Sequence, residues 1–325
     1  MRAILIEGPS HDLVLGEAPR PELGPESVLV EVYATAVNRA DLLQRRGFYP
    51  PPPGESEILG LEAAGVIAEV GGGVRDWRRG DRVMCLLGGG GYADYVAVPQ
   101  GMLLRIPERL SFEEAAAIPE VFYTAYMTLV VEAGLAKGET VLIHAGGSGV
   151  GTAAIQLARA CGARALVTAG QTDKLERCRA LGAAAAINYK EQDFAARGRE
   201  LTDGRGVDVI LDCVGGEYLE RNVALLAPKG RLVIIGLMGG AKADINLALL
   251  VGKRLRVIGT VLRTRTLAEK LALTAGVRER ILPLLENGTL RPVIDSTYTL
   301  ADAAAAHDHV ASNANFGKVI LRVRA

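Results

Sequence analysis

The sequence lacks an excess of either charge. Its 325 residues contain 37 Lys plus Arg and 37 Asp plus Glu, so the formal net charge is zero. It also has no polybasic run, and a basic patch or stripe is the usual mark of a nucleic-acid partner. Both absences argue against nucleic-acid binding. With 49% hydrophobic and 23% charged residues, the composition is that of a globular protein that buries large cores.

Metal-ligand spacings are also missing. The chain has four cysteines and four histidines, but no C-x-x-C pair is present and the histidines do not cluster with cysteines. His307 and His309 are two residues apart on a predicted helix, so they point to different faces. We therefore predict no metal site and reduced thiols, as in a cytoplasmic protein. The cysteines are Cys85, Cys161, Cys178 and Cys213.

No segment predicts a secretory signal or a membrane span. The N-terminus has one basic residue and a short apolar run that ends at Glu7, which we interpret as a strand. Residues 140–158 carry no charge, but His144, Gln156 and several glycines favour a strand and a helix buried in a parallel sheet. We expect a cytoplasmic protein with no membrane partner.

The most informative feature is a glycine-rich turn between a predicted strand and a predicted helix. This pattern is typical of a dinucleotide pyrophosphate site. We assign the sharp turn to Gly146, the close approach of the backbone to the phosphates to Gly149, and helix–strand packing to Gly151. Ser148 stands where the strict pattern has a second glycine, and with Val150 it completes the predicted cofactor loop. The alternative is a turn that binds nothing.

Hydrophobic patterning predicts two domains. Residues 1–122 carry short strands broken by Gly and Pro, which is typical of a partly closed barrel. The predicted strands there are 28–33, 64–70, 81–85 and 92–98. From about residue 120 strands and helices alternate, which predicts parallel βαβ units and a doubly wound sheet. Its predicted strands are 140–145, 164–169, 185–188, 207–212, 230–236 and 255–259, with helices at 172–181 and 218–226 among them.

The C-terminal part shows a third pattern. A long helix is predicted over 267–286, a second over 300–310, and a final strand over 318–323. We expect this tail to return to the first domain, which makes that domain discontinuous.

Six segments carry a family resemblance: residues 37–47, 49–54, 58–62, 144–156, 236–240 and 313–318. Together they resemble the zinc-free quinone oxidoreductases of the medium-chain dehydrogenase/reductase superfamily, in the zeta-crystallin-like branch and near the inducible quinone oxidoreductases. The resemblance covers nearly the whole chain. It implies an α/β fold with a GroES-like, partly open β-barrel domain (1–122 and 264–325), a Rossmann domain (123–263), a cleft between them, and a homodimer.

The same segments imply chemistry without zinc. Zinc-dependent members of the superfamily have a cysteine near Asn38 and a Gly-His-Glu near residues 60–62, where this chain has Leu61 in place of the histidine. Neither Asn nor Leu can hold Zn²⁺ as thiolate and imidazole do. Hydride must then pass directly to an acceptor that is already electrophilic. We predict an NADPH-dependent, zinc-independent quinone reductase.

Two alternatives remain open. One is an NADPH-dependent reductase of alkenal or enone C=C bonds, since a zinc-free site would serve either acceptor. The other is an NADPH-binding or RNA-binding protein with little turnover, which the neutral net charge disfavours.

The resemblance assigns roles to several side chains. Asn38 should bond near the nicotinamide ribose or the substrate oxygen. Tyr49 should place its hydroxyl near the cofactor or acceptor and could pass a proton, and the four prolines after it stiffen its loop. Tyr123 and Thr124 should face the nicotinamide. The pocket is expected to be lined by Met238, Val261, Leu262 and Asn315. A packing or surface role is the alternative for each of these residues.

The end of the second predicted strand of the alternating region favours NADPH over NADH. An NAD site usually has Asp or Glu there, but this chain has Gly170, which leaves room for a phosphate. Lys174 follows in the first turn of a helix, where a cation gains nothing from the helix dipole. The resemblance places Tyr189 beside the same phosphate. Asp173 argues against this choice unless it caps the helix.

Overall fold

The computed structural model describes residues 1–324, which divide into two units. The first unit contains Met1–Tyr123 and the chain from Leu262 onward, and the second contains Thr124–Val261. The expected boundaries, after residues 122 and 263, lie one and two residues from these. None of the helices among residues 1–324 combines the length and apolar character needed to cross a membrane.

The strands are numbered in chain order. They are β1 (Arg2–Glu7), β2 (Asp12–Glu17), β3 (Ser27–Val37), β4 (Glu62–Val70), β5 (Arg82–Leu86), β6 (Tyr95–Pro99), β7 (Leu103–Arg105), β8 (Thr140–Ile143), β9 (Arg164–Ala169), β10 (Ala185–Asn188), β11 (Val207–Asp212), β12 (Leu226–Ile234), β13 (Arg256–Gly259), β14 (Ile294–Thr299) and β15 (Lys318–Arg322).

The α-helices are numbered in the same way. They are α1 (Arg39–Arg45), α2 (Phe112–Ala116), α3 (Pro119–Tyr126), α4 (Gly149–Ala160), α5 (Thr172–Ala180), α6 (Phe194–Glu200), α7 (Leu219–Leu225), α8 (Leu247–Lys253), α9 (Leu267–Arg280), α10 (Leu282–Glu286) and α11 (Ala303–Ala311). Short 3₁₀ segments cover Gln100–Met102, Gly216–Tyr218 and Leu300–Asp302, and a π-helical segment covers Met127–Glu132.

The second unit is built on a six-stranded parallel sheet. Its strand order is β10-β9-β8-β11-β12-β13, the doubly wound order of dinucleotide-binding domains. Side chains such as Leu142, Leu166 and Ile210 are fully buried because helices cover this sheet. The predicted Rossmann fold is confirmed. The order reverses between β8 and β11, which places the glycine turn after β8 at the edge where such sheets bind ligands.

The first unit is built on a seven-stranded, mostly antiparallel sheet. Its order is β14-β15-β3-β4-β5-β7, with β6 also pairing with β3. The C-terminal strand β15 lies antiparallel to β3, with Val319 opposite Val37. The tail therefore returns to this unit as predicted, and the barrel-like GroES fold is confirmed. The antiparallel pairings bring the end of β3 beside the starts of β4 and β15.

The long helix predicted over 267–286 is interrupted. The structure has α9 up to Arg280 and α10 from Leu282, with Pro283 in the first turn of α10. Proline has no N–H to bond to the preceding turn, so its best place is the start of a new helix. The apolar periodicity continues across the break, because both helices bury apolar side chains such as Val277 and Leu285.

Candidate functional site

The glycine turn after β8 is shaped by a residue other than the predicted one. Ala145 takes the left-handed conformation, with φ of 54°, so the sharp turn is made there and not at Gly146. Gly146 is needed for packing instead, since an added Cβ would lie 2.8 Å from the Cβ of Val167 on β9. This corrects the role assigned to Gly146 from the sequence.

The start of α4 presents unpaired backbone donors. Ser148 is the N-cap, and its hydroxyl accepts a bond of 3.0 Å from the N–H of Gly151. The N–H groups of Gly149 and Val150, at the first two helical positions, have no intrahelical acceptor. A Cβ at Gly151 would lie 2.4 Å from the Ala145 carbonyl oxygen. Serine in place of the second glycine therefore caps the helix and leaves an anion-binding N-terminus in place.

A buried set of hydrogen-bonded side chains lies next to this turn. We name it the His144 network, and its members are His144, Thr168, Asn222 and Asp212. His144 Nε2 lies 2.8 Å from Asn222 Oδ1 and its Nδ1 lies 3.0 Å from Thr168 Oγ1. Asn222 in turn donates from Nδ2 to Asp212 Oδ2 at 3.2 Å. Because Asn222 Oδ1 can only accept, His144 carries its proton on Nε2 and Thr168 donates to Nδ1. Burial lowers the pKa of His144 to about 4, so the ring is neutral.

The network also fixes the end of β11. The Asp212 carboxylate accepts hydrogen bonds from the N–H of Val214 at 2.7 Å and of Gly215 at 3.2 Å. Burial raises the pKa of Asp212 in spite of these bonds. The ends of β8, β9 and β11 are thus joined beneath the glycine turn.

The end of β9 is more crowded than the sequence suggested. A Cβ at Gly170 would lie 2.9 Å from both the Tyr189 hydroxyl and the Lys190 Cε. The space beside Gly170 is therefore not open, and a phosphate there requires these two exposed side chains to move aside. Lys174 lies in the first turn of α5, as predicted. Gln171 is the N-cap of that helix, so Asp173 does not cap it.

In the first unit, three strand ends meet at a buried lysine. The Lys318 ammonium donates to Glu62 Oε1 at 2.8 Å, Asn38 Oδ1 at 2.6 Å and the Val37 carbonyl at 3.1 Å. These bonds use all three ammonium donors. Lys318 is 3% exposed and Glu62 is 0% exposed, so a complete ion pair is buried where β3, β4 and β15 converge.

Asn38 belongs to the same cluster. Its Nδ2 donates to Glu62 Oε1 at 2.8 Å and to the Ala36 carbonyl at 3.3 Å, while its Oδ1 accepts from Lys318. Both ends of the amide are therefore engaged within the protein. The predicted contact between Asn38 and the ribose or substrate stays a prediction; the geometry gives Asn38 a positioning role.

Two further acids complete what we name the Lys318 network: Lys318, Asn38, Glu62, Asp41 and Glu120. The backbone N–H of Glu120 donates to Glu62 Oε2 at 2.8 Å. Asp41 accepts from the N–H of Asn38 at 2.7 Å. Burial raises the pKa of Asp41 to about 6, and burial together with the charge of Glu62 raises that of Glu120 to about 8.

A buried arginine, Arg263, contacts both the backbone and the ring of Tyr49. Arg263 is 4% exposed and donates to the Tyr49 carbonyl at 3.0 Å, the Gly88 carbonyl at 2.8 Å and Gln44 Oε1 at 2.7 Å. Its guanidinium carbon lies 5.2 Å from the centre of the Tyr49 ring. Burial raises the pKa of the Tyr49 phenol, and the nearby Glu120 charge raises it further.

The position of Tyr123 corrects another prediction. Its side chain is fully buried, and its hydroxyl donates to Thr274 Oγ1 at 3.1 Å within the first unit. It is a core residue with no surface to offer a nicotinamide. Leu262 is also buried.

The other predicted lining residues remain predictions. Thr124 is buried, and its carbonyl accepts from Thr128. Met238 and Val261 are exposed on the second unit. Asn315 donates to the Gly317 carbonyl at 2.8 Å, in the turn that leads to Lys318.

Sequence reasoning missed the residues that organise the first unit. Lys318 and Glu62 lie inside segments that carried the resemblance, but no local pattern linked them. Arg263 and Glu120 carried no signal, because a single charged residue in an apolar stretch is ordinary. Only the pairing of distant strand ends shows that these charges are buried together.

Two family models match the chain. One, described as zinc-binding dehydrogenase, matches residues 149–276. The other, described as alcohol dehydrogenase GroES-like domain, matches residues 24–108. Together they cover parts of both units.

Curated relatives include long and short proteins. A phenolphthiocerol synthesis polyketide synthase, Pks15/1 of Mycobacterium bovis, is 40% identical over 233 residues, which are 69% of this chain and 10% of that protein. A quinone oxidoreductase-like protein 2 homolog of Nematostella vectensis is 35% identical over 231 residues, 70% of this chain and 63% of that protein. The match thus spans less than two thirds of either relative.

Solved structures match the whole chain. An NAD-dependent alcohol dehydrogenase is 35% identical with a TM-score of 0.89, covering 99% of this chain and 100% of that one. A quinone oxidoreductase of Pseudomonas syringae is 31% identical with a TM-score of 0.87, covering 99% of each chain. The enoyl reductase CurK is 29% identical with a TM-score of 0.86, covering 99% of this chain and 98% of that one.

Proposed function

This chain belongs to the medium-chain dehydrogenase/reductase superfamily of nicotinamide-dependent oxidoreductases, and on that premise we propose that it reduces quinones with NADPH and without zinc. The observation that carries the proposal is the Lys318 ammonium bonded to Asn38 and Glu62. At the positions of the zinc ligands in zinc-dependent relatives, this chain has the Asn38 amide, Leu61 and the Glu62 carboxylate. The carboxylate is already paired with Lys318. Those groups do not make a zinc site. The acceptor must then be electrophilic without a Lewis acid, as a quinone is.

The cofactor would be held by the second unit. The free N–H groups of Gly149 and Val150 at the start of α4 suit a pyrophosphate, and the close packing at Gly151 keeps that N-terminus accessible. When bound, NADPH supplies a hydride from its nicotinamide. Lys174 and Lys190 near the end of β9 support a choice of NADPH, because no acid replaces Gly170 to hold a ribose diol. Because one similar structure is an NAD-dependent alcohol dehydrogenase, the affinities for NADPH and NADH should be compared directly.

Tyr49 would supply the proton that the reduced acceptor needs. Arg263 fixes its backbone and lies beneath its ring, and the side chain is only partly buried. A positioned general acid contributes roughly 10²–10⁴-fold to rate. Tyr49→Phe should therefore lower kcat with quinones by roughly tenfold or more while the unfolding temperature stays unchanged. An unaltered kcat/KM would leave the ring with a packing role only.

The function is tested by NADPH oxidation with a panel of quinones and enones, before and after prolonged treatment with a strong chelator. We expect quinone reduction that survives chelation, with no stoichiometric zinc by elemental analysis. Activity that is lost on chelation and restored by zinc would contradict the proposal, as would oxidation of simple alcohols with no turnover of quinones.

A C=C reductase is the second candidate. The similarity to the enoyl reductase CurK favours it, because an enoyl reductase acts on a C=C bond. The same panel separates the two: preferred turnover of enones with saturated products would favour the second candidate.

We propose a homodimer formed through β13, in the cytoplasm. Among residues 1–324, β13 pairs only with β12, so one side of this strand is unpaired. Val257 on β13 and Leu247 and Val251 on α8 are exposed, Val251 by 76%. Val257→Lys should give monomers by sedimentation, whereas Val14→Lys, an exposed position in the first unit, should not. Cys85 and Cys178 are buried free thiols, which supports a reducing compartment.

A further inference from the structure

We infer that Glu55 and Lys270 are positioning residues for the proposed reduction, because their ion pair fixes the loop that carries Tyr49. We name residues 49–55 the proline loop. The inference rests on the proposed function for the role of Tyr49, but every contact that carries it lies within the first unit. Glu55 and Lys270 act through Tyr49 and are not assigned a contact with the reacting atoms.

The proline loop is stiff along its length. Pro50–Pro53 have a fixed φ, and each residue that precedes a proline is restricted to extended conformations. The Glu55 N–H donates to the Pro52 carbonyl at 3.1 Å, and Gly54 has a φ of 86°. A bond of this span with a positive φ at the third residue is typical of a type II turn. A displacement of Glu55 is therefore passed along the loop to Tyr49.

The loop is held at both ends by cations. Arg263 donates to the Tyr49 carbonyl at 3.0 Å, and the Lys270 ammonium lies 3.2 Å from Glu55 Oε1. Arg263 comes just before α9, and Lys270 is the fourth residue of that helix. One short stretch of the chain thus anchors both the tyrosine end and the glutamate end of the proline loop.

The burial of Lys270 and its place in α9 both point to the loop carboxylate. Lys270 is 7% exposed, and an ammonium is costly to bury unless it is paired. Near the N-terminus of a helix a cation also opposes the helix dipole. Lys270 therefore gains nothing from its own helix, and the group that compensates its charge is Glu55, which is itself 37% exposed.

Gly88 leaves space for the Glu55 carboxylate. A Cβ at Gly88 would lie 2.0 Å from the Glu55 carboxyl carbon and 2.2 and 2.4 Å from its two oxygens. The φ of Gly88 is not positive, so its backbone would accept an alanine and only the carboxylate needs the missing side chain. The Gly88 carbonyl accepts from Arg263 at 2.8 Å. We name Glu55, Lys270 and Gly88 the loop clamp.

The first test uses the protein without cofactor. Lys270→Met removes the cation of the loop clamp, whereas Gly88→Ala keeps both charges and displaces the carboxylate. Hydrogen exchange of the Glu55 amide, followed by NMR, should be several-fold faster in both variants, because this amide closes the turn. Glu57→Ala, at an exposed position just past the loop, should leave the rate unchanged. Exchange at the wild-type rate in Gly88→Ala would overturn the inference, even where Lys270→Met does not fold.

The second test separates positioning from stability. With a quinone, Lys270→Met and Gly88→Ala should lower kcat by about tenfold, since a misplaced general acid loses part of its effect. The KM for NADPH should not change, because the second unit is proposed to hold the cofactor. In a Tyr49→Phe background neither variant should lower kcat further, because the loop clamp acts through the Tyr49 hydroxyl.

The outcomes distinguish the two proposals. A wild-type kcat in both variants, or an equal added loss in the Tyr49→Phe background, would overturn the inference while leaving quinone reduction in place. If the Glu55 amide exchanges faster in both variants but no acceptor is reduced, the proposed function fails and the loop clamp stands as the device that fixes Tyr49.

Discussion

The first unit joins its strand ends with a buried ion pair, whereas the second joins its strand ends with hydrogen bonds around a neutral histidine. Lys318 and Glu62 are both charged and both almost inaccessible to water. In the His144 network only Asp212 is an acidic group, and its partners are backbone N–H groups and the Asn222 amide. A buried ion pair is costly to form and very costly to break, while hydrogen bonds to a neutral ring cost less in both respects.

The difference follows from what each network supports. In the second unit the start of α4 offers N–H groups suited to an anion, so a buried cation beneath the glycine turn is not needed. In the first unit Lys318 is the cation at the meeting point of β3, β4 and β15. Substitutions in the two networks, and changes of pH, should therefore alter the free energy of unfolding in different ways.

The largest expected effect is on the ion pair. Lys318→Met removes all three donors from Val37, Asn38 and Glu62 and leaves a buried carboxylate without a partner. We expect the free energy of unfolding to fall by about 3–5 kcal/mol. Urea unfolding followed by circular dichroism measures it.

A surface pair in the same unit serves as the control. Arg322 contacts Glu113 at 2.9 Å but is 52% exposed, so Arg322→Met should cost about 1 kcal/mol or less. The double variant Glu62→Gln/Lys318→Met should recover part of the loss, because no charge is then stranded. Equal costs for Lys318→Met and Arg322→Met would mean that the buried pair is not a structural requirement.

The second prediction uses pH to separate the networks. His144 has a folded pKa of about 4 against 6.5 when free, so the unfolded state binds more protons in that range and stability falls as the pH falls from 6.5. Glu120 has a folded pKa of about 8 against 4.5, so the folded state keeps its proton and stability falls as the pH rises from 4.5 to 8. The two slopes oppose each other at mildly acid pH.

Two variants separate the contributions of His144 and Glu120 to the pH dependence of the free energy of unfolding. Each group contributes about 1.4 kcal/mol per pH unit within its own range. His144→Gln should remove the acid loss, Glu120→Gln should remove the loss between pH 6.5 and 8, and His11→Asn at an exposed position should change neither. Urea unfolding at a series of pH values provides the measurement. If His144→Gln leaves the acid slope intact, the His144 ring is not held neutral as the structure implies.

The two networks also differ in how far the sequence predicts them. The glycine turn, the strand before it and α4 are contiguous, so local patterns predict them, and the doubly wound sheet follows from the alternation of strands and helices. His144 lies in that segment, but Asn222 and Asp212 join it only through the pairing of β8 with β11. The left-handed Ala145 was not predictable, because alanine rarely takes that conformation.

The Lys318 network was beyond sequence reasoning. Its members are residues 38, 41, 62, 120 and 318, and no spacing rule connects them. Asn38 was predicted as a ligand-contacting residue because the family resemblance assigned it that role. Only the register of β15 against β3 shows that its amide is used by Lys318. Tyr123 misled in the same way, because burial of a tyrosine depends on Thr274 from a distant helix.

The smallest expected effect concerns Lys174, which we propose contacts the cofactor. Lys174 lies in the first turn of α5, where a cation opposes the helix dipole, so Lys174→Ala should leave stability within about 0.5 kcal/mol of the wild type. A charge-assisted contact to a 2′-phosphate contributes about 1.5–3 kcal/mol, which is roughly a ten- to hundredfold change in affinity. Lys174→Ala should weaken NADPH binding by that factor and leave NADH binding nearly unchanged, as measured by fluorescence titration. Lys137→Ala, just before β8 at the opposite edge of the sheet, should alter neither constant. Equal dissociation constants for NADPH and NADH in the unmodified protein would instead point to Asp173 as the residue that meets the ribose.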